Sequence, residues 1–285
     1  WLARGGRHLK DFNMNAIQAY LIEGDADAVR AGFTTIDASQ LDPGDVVIRV
    51  RYASVNYKDA LAASGRGRII RRFPCVGGID AVGTVESSET PRFRPGESVV
   101  VHSHGFGVSR HGGYATRARV PADWVNHFPA PLTELDAITL GVAGYTAALA
   151  VDLMELNGLT PGRGRVLVNG ATGGVASVAI DIMSQRGYEV VAVTSKPAEA
   201  QYLKALGASE VIGASELAPA TRPLEKALWA GAVDSLGGEP LAALTRTVDK
   251  DGVIASIGNA AGHELVTSVM PFILRGVRLI GVNSD

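Results

Sequence analysis

The sequence predicts an α/β protein in which a mainly β half precedes a parallel sheet covered by helices on both faces. Apolar and polar residues alternate in the first half, and short apolar runs alternate with helical patterns in the second. Between the first two of those runs lies a glycine-rich turn at residues 170–176. Because 285 residues are many for one hydrophobic core, two domains are expected.

The first half, from residue 16 to about residue 125, contains short strand patterns separated by turn residues. Residues 46–50 alternate after the turn sequence Asp-Pro-Gly-Asp, and residues 81–85 and 97–101 are further short runs, with Arg-Pro-Gly between them. Few stretches in this half have helical periodicity. A small β-barrel-like domain is therefore predicted.

The second half contains six candidate strands, the number in a complete dinucleotide-binding sheet. They are apolar and mostly do not alternate, which is typical of a parallel sheet buried on both faces. Residues 175–186 have helical spacing and complete a β-α-β unit. The six strands are residues 166–169, 189–193, 210–212, 232–235, 253–257 and 277–282.

The glycine turn reads Gly170-x-x-Gly173-Gly174-x-Ala176, which departs from the stricter Gly-x-Gly-x-x-Gly pattern. Glycines let a backbone approach a pyrophosphate closely, and the following helix directs its unpaired N–H groups at the phosphates. The position of this turn between a strand and a helix indicates dinucleotide binding. The residues predicted to bind there are Thr172, Gly173, Gly174 and Val175.

The next strand ends in Thr194, Ser195 and Lys196, without the acidic residue that binds the ribose 2′-hydroxyl in many NAD sites. Two hydroxyls and an ammonium group would hold a 2′-phosphate through charge-assisted hydrogen bonds. The sequence therefore favours NADPH over NADH. The alternative is that Lys196 only begins an exposed helix, with Pro197 in its first turn.

Composition and charge exclude several classes of protein. A net charge of −2 predicts no general affinity for nucleic acid. The one cysteine, Cys75, excludes a disulfide framework and is consistent with a cytoplasmic location, which we expect. Residues 1–13 lack the apolar core of a signal peptide and are interpreted as a non-native or disordered extension before Met14. The uncharged residues 137–151 are too few for a membrane span and predict a buried helix.

Four longer motifs resemble those of one family. They are SVNYKDALA at residues 54–62, GRGRIIRRFP at 65–74, RPLEK with WAG at 222–231, and MPFILR with VR at 270–278. The chain resembles the medium-chain dehydrogenase/reductase superfamily and, within it, the zinc-free quinone-oxidoreductase-like branch. In that branch it is most similar to the NADPH-dependent acrylyl-CoA reductase family. The resemblance implies a GroES-like catalytic domain at residues 14–134 and a Rossmann NADPH-binding domain at residues 135–285.

The same resemblance bears on metals. Zinc-dependent members carry a cysteine where this chain has Asn56 and a His-Glu pair where it has Ile79 and Asp80. Neither an amide nor an isoleucine supplies the thiolate or imidazole that catalytic zinc needs, so no metal is expected. His102 and His104 would share one side of a strand, and we expect them at the edge of a pocket.

Without a metal, NADPH chemistry suits an acceptor that is already polarised, such as an α,β-unsaturated carbonyl. In the resembled family the Asn-Tyr segment, here Asn56 and Tyr57, faces the nicotinamide. Tyr57 is predicted to hydrogen-bond the cofactor or relay a proton, and Asn56 to donate to a carbonyl. Packing of Tyr57 between domains is the alternative. Lys58 and Asp59 are expected to be structural or to form an ion pair at the rim.

The loop after the fifth strand of the sheet is the other predicted contact with the nicotinamide. Ligands bind at the carboxyl ends of parallel strands, and the resemblance implies that Ile257, Gly258 and Asn259 flank the ring. Residues 236–238 are a neighbouring candidate, although a tight turn explains these glycines equally well. A cluster of arginines could contact the phosphates of CoA or simply form a solvated basic loop. They are Arg66, Arg68, Arg71 and Arg72.

We therefore expect an NADPH-dependent enzyme that reduces acrylyl-CoA to propionyl-CoA. The alternatives are an NADPH:quinone oxidoreductase and a non-catalytic NADPH-binding protein. The partners expected are a small-molecule substrate and a second copy that forms a homodimer through residues 277–282, without nucleic acid or membrane. The chain is interpreted as truncated at its C-terminus, and it departs from the family pattern at Gly77, His111 and Ala176.

Overall fold

The computed structural model describes residues 15–25, 28–217 and 221–285, so the expected extension at residues 1–13 lies outside the described residues. The chain forms two compact units. The first ends at Gly141 and also includes Asp285, and the second runs from Val142 to Ser284.

The first unit is built from two antiparallel sheets, and the three strands predicted there are confirmed. One sheet has the order β2-β1-β4 and the other β7-β3-β5-β6-β8. The strands are β1 (Ala16–Gly24), β2 (Val29–Asp37), β3 (Val46–Tyr52), β4 (Cys75–Val76), β5 (Asp80–Ser88), β6 (Ser98–His102), β7 (Arg117–Val120) and β8 (Val125–Asn126), with helix α1 (Tyr57–Ala63) after β3.

Alternating burial along these strands explains why they form here. Inward residues of the larger sheet, such as Val46, Ile48 and Val99, pack into one cluster around Phe106. The β1–β2 hairpin was not predicted as two separate strands. Its second strand is exposed at most positions, so its sequence does not show the alternation of apolar and polar residues that marks a half-buried strand.

The second unit contains the predicted six-stranded parallel sheet, and all six predicted strands are confirmed. Helix α2 (Glu134–Leu156) crosses from the first unit into the second. The elements that follow it are β9 (Val166–Val168), α3 (Gly174–Gln185), β10 (Val190–Thr194), α4 (Ala200–Ala205), β11 (Glu210–Gly213), β12 (Trp229–Asp234), α5 (Gly238–Thr247), β13 (Val248–Ser256), α6 (Met270–Arg275) and β14 (Arg278–Gly281). The strand order in the sheet is β11-β10-β9-β12-β13-β14.

Both faces of this sheet are covered, because every residue of β10 and β12 is buried. On one face Ile180 and Met183 of α3 pack against the sheet, and on the other Leu241 and Leu244 of α5 do so. The non-alternating sequence of the strands follows from this burial on two sides. β14 lies at an edge of the sheet, as the predicted dimer contact requires, and the dimer itself stays a prediction.

Helix α2 contains the uncharged stretch of the sequence. Its 23 residues are long and apolar enough to span a membrane by length and composition, but half of the apolar window is buried inside the protein. Gly141 interrupts the helix with φ 49° and ψ −154°. The prediction of a buried helix is consistent with this burial, and the interruption coincides with the division between the two units.

Cys75 provides a test of the packing in the first unit. Its side chain is fully buried, and burial raises the pKa of the thiol to about 12. Roughly one thiol in ten thousand is then ionised at pH 8, and the thiolate is the reactive form. Ellman's reagent should label the folded protein very slowly and release one equivalent after denaturation in guanidinium. Rapid labelling of the folded protein would contradict this packing.

Candidate active site

The glycine turn has the backbone shape that a phosphate-binding turn needs. Gly170 has φ +58°, a conformation that favours glycine, and a Cβ there would lie 3.3–3.4 Å from the side chains of Leu236 and Ser235. A Cβ on Gly173 would approach the Gly170 carbonyl oxygen to 3.1 Å. The turn is therefore a cradle that side chains would fill.

Helix α3 begins directly after this cradle. The N–H groups of a first helical turn have no intrahelical partner. In α3 the N-cap is Gly173, which has no side chain to accept from them. Those donors and the positive end of the helix dipole suit a pyrophosphate. Thr172, Gly173, Gly174 and Val175 thus lie where the sequence predicts cofactor binding, and the residues present fit a dinucleotide.

The three residues after β10 differ in exposure. Thr194 is buried, and its hydroxyl accepts a hydrogen bond of 3.0 Å from the backbone N–H of Lys196. Ser195 and Lys196 are exposed. The hydroxyl of Thr194 therefore shapes the loop, while Ser195 and Lys196 are the two groups presented to solvent.

A buried pair that the sequence did not reveal joins the turn to the neighbouring strand. The Nδ2 of Asn169 donates to the Oδ1 of Asp234 over 2.5 Å, and both residues are almost fully buried. The other carboxylate oxygen of Asp234 accepts from the backbone N–H of Gly237 at 3.0 Å. Burial raises the pKa of Asp234, and these hydrogen bonds oppose that shift.

The loop after β13 is hydrogen-bonded to the backbone of Asp234. The backbone carbonyl oxygen of Asp234 accepts from the N–H of Ile257 at 2.9 Å and of Gly258 at 3.3 Å. Gly258 is required there because a Cβ would lie 2.4 Å from the carbonyl oxygen of Ser235. The Ser235 hydroxyl is buried and has no hydrogen-bond partner among residues 15–25, 28–217 and 221–285. This orphaned hydroxyl next to the cradle is a further observation that fits a bound ligand.

In the first unit, a second buried carboxylate fixes the Asn56-Tyr57 segment. Asp80 is fully buried, and it accepts hydrogen bonds from the Ser54 hydroxyl at 2.6 and 2.8 Å. The Nδ2 of Asn56 donates to that hydroxyl oxygen at 2.9 Å and approaches Asp80 at 3.4 Å. The hydrogen-bond donor predicted at Asn56 is therefore engaged inside this unit. A Cβ on Gly141 would lie 2.6 Å from the same carboxylate, which explains the glycine in α2.

Tyr57 begins α1 and is 60 % exposed. Within the part of the chain that the structure describes, no group hydrogen-bonds its hydroxyl. Asp59 fixes the start of the helix, since its carboxylate accepts from the N–H of Asn56 at 2.9 Å and of Ile79 at 3.1 Å. Burial raises the pKa of Asp59. Asp59 is thus structural, and Lys58 lies 3.4 Å from Asp285 instead.

The two histidines do not lie on one strand. Strand β6 ends at His102, and Ser103 and His104 both have positive φ, so the chain turns there. Their position at the edge of a pocket stays a prediction. His104 stacks on Trp124 at 5.4 Å. Burial lowers the pKa of His102. Among the described residues no three His, Cys, Asp or Glu side chains form a group that could hold a metal ion, so these residues do not fit zinc.

Two of the remaining candidates, Arg72 and His111, have structural partners. Arg72 pairs with the buried Asp42 at 2.5 Å, whereas Arg66 and Arg71 are exposed. His111 is buried and accepts a hydrogen bond at 2.9 Å from the N–H of Val76.

The structure also shows the local environment of the two other departures from the family pattern, Gly77 and Ala176. The N–H of Gly77 donates to the carbonyl oxygen of Tyr20, a bond that proline could not make. Ala176 is fully buried among core residues.

Comparisons with known proteins agree with this architecture. Residues 42–130 match the family of the alcohol dehydrogenase GroES-like domain, and residues 174–284 match the zinc-binding dehydrogenase family. AcuI of Escherichia coli, a probable acrylyl-CoA reductase, is 46% identical over 94% of this chain and 82% of its own length. YhfP of Bacillus subtilis, whose assignment as a quinone oxidoreductase is itself provisional, is 46% identical over 94% of this chain and 81% of its own.

Solved structures give the same result. The structure of Escherichia coli YhdH with bound NADPH superposes with a TM-score of 0.90 at 45% identity, and covers 94% of this chain and 82% of that one. Bacillus subtilis yhfP with NAD bound superposes with a TM-score of 0.88 at 45% identity over the same shares.

An antiparallel unit before a parallel sheet with a glycine cradle defines an oxidoreductase of the alcohol dehydrogenase type. The chain belongs to the medium-chain dehydrogenase/reductase superfamily and, within it, to the zinc-free, quinone-oxidoreductase-like branch with the acrylyl-CoA reductases. The resemblance stated from the sequence motifs is confirmed.

Proposed function

We propose that the protein reduces the carbon–carbon double bond of an α,β-unsaturated acyl-CoA, with acrylyl-CoA as the expected substrate, using NADPH and no metal. The observation that carries this proposal is the similarity, at 46% identity, to a relative described as a probable acrylyl-CoA reductase. The cradle at Gly170 and the uncapped start of α3 support the cofactor part of the proposal.

The choice of NADPH is supported by the end of β10. Ser195 and Lys196 are exposed there, and no acidic side chain follows the strand until Glu199. A hydroxyl and an ammonium group attract a 2′-phosphate and have no comparable partner in NADH. In this proposal Thr194 holds the loop and Lys196 provides the charge.

NADPH, when bound, supplies the hydride. The β-carbon of the substrate accepts it, negative charge develops on the thioester carbonyl oxygen, and the α-carbon then takes a proton, so that the double bond becomes a single bond. The protein must stabilise that oxygen and exclude water. We assign the hydrogen bond to the carbonyl oxygen to Tyr57, because its hydroxyl is the exposed donor of the segment.

Asn56 has a supporting role in this proposal. Its amide nitrogen donates to Ser54, and its backbone N–H donates to Asp59. Both bonds fix the first turn of α1, from which Tyr57 projects. Asn56 therefore orients Tyr57.

The acceptor is tested by following the loss of NADPH absorbance with acrylyl-CoA and, separately, with a naphthoquinone. We expect a kcat/KM for acrylyl-CoA at least tenfold above that for the quinone. A faster reaction with the quinone would favour the quinone oxidoreductase that the name of the Bacillus relative suggests. No turnover with either acceptor, while NADPH binds, would leave a binding protein.

Replacing Tyr57 by phenylalanine tests the assigned donor. Removal of one hydrogen bond to a developing oxyanion typically slows the chemical step about 100-fold, and we expect kcat for acrylyl-CoA to fall by about that factor with NADPH affinity nearly unchanged. Tyr52→Phe is the matched control, because Tyr52 is also an exposed tyrosine of the first unit. Unchanged turnover of Tyr57→Phe would remove this residue from the mechanism.

A further inference from the structure

Asn169 and Asp234 lie where the backbone pairing of two central strands stops. The ladder between β9 and β12 ends at the pair Val168 and Val233, followed by a bond of 3.1 Å from the Asn169 N–H to the Val233 carbonyl oxygen. The side-chain bond between Asn169 and Asp234 lies just beyond the last paired residues of β9 and β12, where the loops leave these strands.

Three loops meet at these two residues, two of them through the side chains and the third through the backbone of Asp234. Asn169 opens the glycine turn, Asp234 accepts from Gly237 in the loop after β12, and its carbonyl oxygen accepts from Ile257 and Gly258 in the loop after β13. These loops carry most of the backbone groups proposed to bind the dinucleotide. A shift of the pair would move all three together.

The chemistry of position 169 is restrictive. The Nδ2 of Asn169 donates to Asp234, while its Oδ1 accepts from the N–H of Ser235 at 2.8 Å. One side chain must therefore be a donor and an acceptor at once, which an amide provides and a carboxylate or an alkyl group does not. Loss of either function leaves a buried polar group without a partner.

We propose that Asn169 and Asp234 are positioning residues for the dinucleotide: their buried hydrogen bond fixes the spacing of the three loops, and cofactor affinity depends on it. This inference rests on the proposed function, because it assumes NADPH as the ligand. Neither side chain needs to touch the cofactor.

Exchange of the two residues provides the test. Asn169→Asp alone places two carboxylates against each other, and Asp234→Asn alone loses an acceptor for Gly237 or Asn169. The double variant Asn169→Asp/Asp234→Asn restores the short side-chain bond with donor and acceptor reversed and keeps acceptors for the N–H groups of Gly237 and Ser235. It loses only the long bond of 3.4 Å from the Leu236 N–H to Asp234.

The readouts are the Kd for NADPH, by fluorescence titration, and the melting temperature without cofactor, both on the full chain. We expect each single variant to raise Kd about tenfold or more, and the exchange to return it to within about threefold of the original protein. Single variants that fold and bind NADPH normally would overturn the inference. If a single variant does not fold, the exchange decides alone: a normal melting temperature with a tenfold weaker Kd would overturn it.

Tyr188→Phe is the control for loss of a buried hydrogen bond elsewhere in this unit. The Tyr188 hydroxyl donates to Glu155 at 3.0 Å and lies 3.3 Å from the carbonyl oxygen of Leu159, beside the opposite end of β10. We expect a lower melting temperature with an unchanged Kd. An equal loss of affinity in this control would show that the effect at Asn169 is general and overturn the inference. If the original chain does not bind NADPH, the proposed function itself fails.

Discussion

The hydrogen bond between Asn169 and Asp234 shows the constraint on which the cofactor side of the protein depends. A parallel sheet brings the ends of its strands to one edge, but it does not fix the loops that follow. A buried carboxylate does so, because it must be satisfied by nearby N–H groups or its burial is too costly. The Asp234 carboxylate accepts hydrogen bonds from the Asn169 amide and from the N–H of Gly237. Its backbone carbonyl oxygen accepts from the N–H groups of Ile257 and Gly258. Glycines stand at 237 and 258 because the neighbouring backbone approaches too closely for a Cβ, and at 170 because the turn requires a positive φ.

The first unit uses the same device for another group. The buried Asp80 accepts a hydrogen bond from the Ser54 hydroxyl, and that hydroxyl accepts one from the Asn56 side-chain amide. Asp59 accepts a hydrogen bond from the backbone N–H of Asn56. The side chain left exposed by this arrangement is that of Tyr57. In each unit a buried acid accepts hydrogen bonds from the loops beside the candidate site, and in the first unit Tyr57 stays exposed next to them. Such pre-organisation lowers the cost of binding and of stabilising charge in a transition state.

The features that could be predicted from the sequence are those that depend on residues close together in the chain. Continuous apolar runs indicated the parallel strands, and the glycines between β9 and α3 indicated the cradle. The sequence did not reveal Asp80 and Asp234, because their partners Ser54 and Asn169 are 26 and 65 residues away in the chain and no motif links them. Nor did it reveal that β6 ends at His102, where the backbone turns at Ser103 and His104 with positive φ. Long-range hydrogen bonds and single-residue turns are the features that period and spacing do not encode.

The central claim is that NADPH delivers a hydride to the β-carbon of an unsaturated acyl-CoA without a metal. Its most direct test uses NADPH with two deuterium atoms at C4 of the nicotinamide, acrylyl-CoA and the full chain, followed by NMR and mass spectrometry of the product. The account predicts propionyl-CoA with one deuterium, located on the methyl carbon, and a proton from water at the α-carbon. Deuterium at the α-carbon, or a reduced product without deuterium, would contradict it.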